Sequence, residues 1–221
     1  MSEENKMHIK LILLGDIGVG KSSIIQRYSK DTFNEFHEST FESSFIEKEI
    51  KVGSENIILE LWDTVSQEIY RSMNKIFVKK SKIIILVYDV TSKKSFESLN
   101  YWYDFINKEL DKNVILGLVG NKKDLIFEDS YNEEITSVEA EEYASKIGAT
   151  FALVSAKESN IEIKELVNKL VIKYFDSIEN IKYFSEHIII DERSFSKKIN
   201  GKNECCLSKN TKQYRTKSYL L

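Results

Sequence analysis

The sequence predicts an α/β fold, a mostly parallel sheet covered by helices on both faces. Residues 8–14 (HIKLILL), 82–89 (KIIILVYD) and 114–120 (VILGLVG) are short, almost wholly apolar runs, as strands buried on both sides require. Segments with apolar residues at helical spacing lie between them. Such alternation, with helices of about 10–18 residues, closes into a parallel sheet layered between helices. Proline is absent from all 221 residues, so boundaries are read from Gly, Asn, Asp and Ser.

The elements follow in order. The first apolar run ends at Gly15, and residues 21–30 read as a helix. Residues 44–51 alternate like a half-buried strand, residues 51–56 (KVGSEN) are a turn cluster, and residues 56–63 are the returning strand of a hairpin. After the run at 82–89, residues 92–110 carry Phe96, Leu99, Trp102, Ile106 and Leu110 at helical spacing. Thr136 with Glu139 forms a capping box opening a helix that closes at Gly148. Residues 150–154 are a last strand. Ser159 with Glu162 reads as a second capping box, ahead of a helix striped by Ile163, Leu166, Val167, Leu170 and Tyr174. Beyond residue 176 the periodicity fades. The organisation expected is a flexible N-terminus over 1–7, one folded domain over 8–176 and a flexible basic tail over 177–221. Residues 197–221 hold seven basic residues, one acid and both cysteines.

Composition removes several functions. No apolar run is long enough to span a bilayer. Residues 1–6 (MSEENK) are acidic and polar, unlike the basic-then-apolar plan of a signal peptide, so a cytoplasmic location is expected. A net charge of −3 provides no global basic field for nucleic acid. The two cysteines, Cys205 and Cys206, are adjacent, which excludes a disulfide framework and a four-cysteine metal site.

The chemistry sits at strand ends. Residues 15–22 (GDIGVGKS) lie between a buried strand and a helix, the context that makes a phosphate loop of this pattern. Gly15, Gly18 and Gly20 let the backbone curl so that N–H groups, Val19 among them, point at phosphate oxygens, and the helix start with Ser23 adds its positive end. Lys21 is placed for the β- and γ-phosphates and Ser22 for Mg²⁺. Residues 121–124 (NKKD) name the base: Asp124 accepts from the guanine N1–H and 2-amino group, where adenine has no donors and would leave a carboxylate unpaired. Lys122 lies along the base, and Ser155, Ala156 and Lys157 turn backbone N–H groups to the guanine O6. Residues 62–67 (WDTVSQ) end another strand; there Asp63 holds Mg²⁺ through water, and Gln67 orients the attacking water. Thr40, in the long connection at 31–43, closes on Mg²⁺ when a γ-phosphate is present. Phe33 covers the guanine ring, or is an ordinary core or surface phenylalanine. Chance turns and solvated loops are the bland readings of each motif taken alone; their order after successive strands favours the nucleotide.

At these residues the chain resembles the Rab branch of the Ras-like small GTPases over about residues 8–176. Five motifs coincide in order: GDIGVGKS, the threonine in HEST, WDTVSQE, NKKD and SAK; residues 88–96 (YDVTSKKSF) are also written as Rab proteins write them. Residues 33–45 look most like the early-endosomal Rab group. The resemblance implies a P-loop NTPase fold with a six-stranded sheet, one strand antiparallel, and five helices. It implies a switch cycling between GDP and GTP in vesicle trafficking, a monomer served by an exchange factor, an activating protein and effectors. It places Phe45, Trp62 and Phe77 as an aromatic triad facing effectors, and lipidated cysteines that hold the protein on the cytosolic face of an endomembrane, with an endosome favoured.

Four residues or segments depart from that pattern. Ser66, a nucleotide-binding position, stands where glycine usually precedes Gln67. Glu42 replaces another usual glycine. Ile17 occupies a phosphate-loop position that is typically small. Fifteen residues follow Cys206, so direct prenylation at the chain end gives way to palmitoylation, trimming, a variant tail or loss of the anchor, with two spare thiols as the bland reading. Ser66 and Ile17 give an expectation of slow turnover and motivate a second function class, a GTP-binding interaction module with impaired hydrolysis. An ATP-dependent kinase or ATPase is disfavoured by NKKD.

Overall fold

The computed structural model describes residues 7–35, 44–52, 55–63, 78–110, 114–127 and 135–177. Its strands are β1 (Met7–Leu14), β2 (Ser44–Val52), β3 (Glu55–Asp63), β4 (Ile83–Asp89), β5 (Ile115–Asn121) and β6 (Thr150–Leu153). They form one six-stranded sheet in the order β2-β3-β1-β4-β5-β6. Only the β2–β3 hairpin is antiparallel; β1 pairs in parallel with β3 and β4, and β5 with β4 and β6. The fold class is the expected one.

Five α-helices lie among the described residues: α1 (Lys21–Lys30), α2 (Lys93–Glu97), α3 (Leu99–Glu109), α4 (Ser137–Ile147) and α5 (Ile161–Ser177), with a 3₁₀ turn over Lys123–Phe127. The segment 92–110, expected as one helix, is two. Ser92 caps the first by accepting the Ser95 N–H, and Ser98 separates it from α3. The capping box of α4 is present, with Gly148 in the left-handed region at its end. That of α5 is not as expected. The helix starts at Ile161, and Ser159 Oγ accepts the Ile161 N–H, two residues on, while the Asn160 carbonyl takes the Lys164 N–H as the first helical bond.

The sheet has a core on each face because strand side chains alternate. Ile9, Leu11 and Leu13 of β1 and Ile83, Ile85 and Val87 of β4 pack with Ile24 and Ile25 of α1 and Leu166 and Leu170 of α5. Ile12 and Leu14, with Ile84, Leu86 and Tyr88, point the other way onto Trp102 and Ile106 of α3 and Ala140 and Ala144 of α4. Every residue of β4 is buried, as expected of a central strand covered on both sides. The parallel strands therefore all end at one edge of a rigid platform, and the sequence motifs lie just beyond those ends.

Candidate nucleotide site

The loop between β1 and α1 is shaped by three glycines with positive φ: Gly15 at 151°, Gly18 at 78° and Gly20 at 94°. Gly15 lies so close to β4 that a Cβ there would stand 2.2 Å from the Val87 carbonyl oxygen. A Cβ on Gly20 would stand 2.2 Å from Asn121 Nδ2. Gly18 faces open space. Two of the three are thus demanded by close approach as well as by backbone conformation.

Lys21, first residue of α1, is buried and folds back beneath the loop, where its Nζ donates to the Gly15 carbonyl at 3.0 Å and the Asp16 carbonyl at 2.8 Å. Burial lowers its pKa to about 8, opposed by the carboxylates of Asp63 and Asp16. Asp63, at the end of β3, is itself buried. Ser22 and Ser23 are partly buried at the start of the helix. The Asp16 carboxylate accepts the Trp102 indole N–H from α3 at 3.1 Å, which fixes the loop from the side. Ile17 at the tip is 56% exposed.

The second and third loops are tied to the first by Asn121. Its Nδ2 donates to the Val19 carbonyl at 2.9 Å, and its Oδ1 accepts the Ala156 N–H at 3.2 Å. The amide is buried and joins three loops in one residue. Lys122 adopts a left-handed backbone, φ 68°, and its Nζ pairs with Asp89 Oδ2 at 2.6 Å. Asp89 is held in turn by the Thr91 N–H and hydroxyl on its other oxygen. In this structure the Lys122 ammonium is thus engaged at the end of β4. Asp124 begins within the 3₁₀ turn and accepts the hydroxyl of the fully buried Ser155 at 2.6 Å; that same hydroxyl receives the Glu158 N–H. Phe33 is partly buried and packs against the core on the α1 side of the sheet.

Phe45 and Trp62 are cross-strand partners on β2 and β3, stacked at 4.9 Å, with the Lys10 ammonium 4.0 Å from the Trp62 ring. Phe45 is half exposed. Thr40, Glu42, Ser66, Gln67, Phe77, Cys205 and Cys206 lie outside the described residues. Three residues of the site escaped sequence reasoning. Trp102 reads as one more apolar position of a helix, and Arg27, which reaches the Ser155–Lys157 loop, reads as a helical surface charge. Asp89 alone had a usable signal, because Asp-x-Thr after a strand is a turn in which the carboxylate takes backbone and side-chain donors.

A glycine-curled loop between the first strand and helix of a mostly parallel sheet, with a buried lysine beneath it and the NKKD segment two strands away tied to it by Asn121, defines a P-loop nucleotide-binding protein. The sequence matches the Ras family over residues 10–176. It is 39% identical over 150 residues to the Ras-related protein Rab-21 of the sponge Geodia cydonium, covering 68% of this chain and 64%, just under two thirds, of that one. It is 38% identical to mouse Rab-21 over 157 residues (71% and 68%) and 38% identical to tobacco Rab5 over 153 residues (69% and 74%). The chain belongs to the Ras family of small GTPases, in its Rab branch. Nothing in these matches favours the reading of an interaction module with impaired hydrolysis.

Proposed function

We propose that the chain is a GTP hydrolase that switches between GTP and GDP forms and acts in vesicle trafficking on the cytosolic face of an endomembrane. One observation carries most of this reading: Asn121 pins the phosphate loop and the 155–157 loop to the strand that carries Asp124, so phosphate and base readers form one rigid unit. Backbone N–H groups from Gly15 to Ser23 bind the phosphates, and the Lys21 ammonium, pre-placed beneath the loop, meets the β- and γ-oxygens. Proximity of the phosphates restores the charge that burial disfavours. Asp124 reads the guanine N1–H and 2-amino group, with Ser155 holding one of its oxygens in place. Ala156 and Lys157 form the O6 side of the pocket. Phe33 flanks the base.

The donor set fits Mg²⁺. Asp63, a buried carboxylate whose charge is felt at Lys21, would hold the ion through water, and the Ser22 hydroxyl, a hard oxygen at the helix start, would ligate it, as this ion prefers. Thr40 completes the set in the GTP form. These residues would hold Mg²⁺, which when bound would supply neutralisation of the charge that develops on the phosphates. Gln67 orients the attacking water, and Ser66 offers its N–H to the γ-phosphate.

Exchange factors, activating proteins and effectors are the partners, with Phe45, Trp62 and Phe77 as the effector face; the likeness to proteins named Rab-21 and Rab5 supports an endosomal membrane. Residues 8–176 act as the folded unit, and the tail carries the membrane contact through Cys205, Cys206 or both. The testing experiment is nucleotide competition in Asp124→Asn. GTP affinity falls and xanthosine triphosphate affinity rises, because the amide offers a donor where the carboxylate offered only acceptors. GTP and ATP competing equally for the wild type would sink the reading.

A further inference from the structure

Arg27 spends its guanidinium on the third loop. Its Nε donates to the Ala156 carbonyl and one terminal nitrogen to the Lys157 carbonyl, both at 2.7 Å. The other terminal nitrogen holds Asp31, at the end of the same helix, by carbonyl and carboxylate at 3.1 Å. The side chain is 13% exposed. These bonds cross from the helix that begins at the phosphate loop to the loop that follows β6.

The peptide plane converts these bonds into an orientation. In a trans peptide the C=O and the following N–H point in opposite directions, and no peptide bond among the described residues is cis. Arg27 draws the Ala156 carbonyl toward α1, so the Lys157 N–H points away from it. Two neighbouring N–H groups are already engaged: Ala156 gives its own to Asn121, and Glu158 gives its own to Ser155 Oγ. Among the described residues no protein acceptor receives the Lys157 N–H. It is the loop donor left over, and Arg27 sets its direction.

We propose that Arg27 is a specificity-determining positioning residue: by holding two carbonyls of the 155–157 loop it aims the Lys157 N–H at the 6-oxo group of the purine. The inference rests on the guanine-nucleotide reading above. A lysine in its place has one nitrogen and no planar fork, so it cannot hold both carbonyls in this geometry.

The test compares GDP with 2-aminopurine riboside diphosphate, which lacks that oxygen and, with it, the N1–H; the change in preference between wild type, Arg27→Lys and Arg27→Gln, with dissociation constants from competition against a fluorescent GDP, isolates the oxygen. The wild type prefers GDP. The arginine variants lose GDP affinity but keep that for 2-aminopurine riboside diphosphate, so the preference shrinks about tenfold, the worth of one well-aimed hydrogen bond. A structural role without aim lowers both affinities alike, and that result overturns the proposal, as does an unchanged preference. Two variants that cannot be purified folded also overturn it, because Arg27 then holds the fold rather than the donor. A wild type without preference between the two ligands overturns the guanine reading itself, and the proposal with it.

Discussion

Gly15, Gly18 and Gly20 share a left-handed backbone, yet a methyl group at each would meet something different. At Gly15 it strikes main chain of the central strand, which cannot move without disturbing the sheet. Gly15→Ala therefore costs about 3 kcal/mol or more and abolishes nucleotide binding. At Gly18 only the backbone preference opposes it, about 1 kcal/mol, so Gly18→Ala melts close to wild type. Thermal melts of the two proteins side by side check the contrast. Equal losses would mean that backbone conformation, and not contact with Val87, is what selects glycine at position 15. The sequence alone equates these glycines, since a motif records spacing but not which neighbour lies within reach.

Elements were legible where local chemistry decides them. The α4 cap was written in Thr136 and Glu139, and both halves of the box form. The α5 cap, with the same spacing, slipped by a residue: Ser159 Oγ takes the Ile161 N–H, and Glu162 divides its carboxylate between the Ser159 side chain and Lys123 of the neighbouring turn. The break at Ser98 was hidden because the apolar stripe runs on through it. The α4 cap has a pH consequence. The Thr136 backbone N–H and hydroxyl hold the Glu139 carboxyl below its ordinary pKa of 4.5, with Lys93 adding to the effect. A depressed acid stabilises the fold above the unfolded pKa and loses that contribution as pH falls through the folded one. Melting temperature thus falls less steeply below pH 4.5 in Glu139→Gln than in wild type; parallel curves would show that the box contributes nothing to acid sensitivity.

Across the whole molecule, the sheet, its strand order and the three nucleotide loops follow from apolar runs ending in motifs. The long-range ties that make the loops one unit do not: Arg27, Asn121 and Trp102 each span large sequence separations. One core contact shows how tightly that unit is packed. A Cβ on Gly117 of β5 would stand 2.8 Å from Leu170 Cδ1, and Leu170 is fully buried. Leu170→Ala therefore costs about 2–5 kcal/mol, measured by denaturant unfolding with GDP at saturation. Among the described residues no helix is long and apolar enough to cross a membrane. On the function proposed above, the tail makes the membrane contact, where one acyl chain is marginal and a second chain or the basic residues add to it. Replacing Cys205 and Cys206 by serine shifts the protein from membrane to soluble fractions of its native cells; an unchanged distribution would remove the cysteines from the anchor.

The chain has only two tryptophans, and they stand in unlike surroundings. Trp102 is buried with its N–H on Asp16 of the phosphate loop; Trp62 is partly exposed, stacked on Phe45 beneath the Lys10 ammonium. An indole in apolar surroundings emits at shorter wavelength than one touching water. The protein therefore carries two built-in optical reporters, a blue one wired to the nucleotide loop and a red one on the outer sheet. In Trp62→Phe the remaining emission follows nucleotide exchange alone, so loop and surface are timed separately without any attached dye.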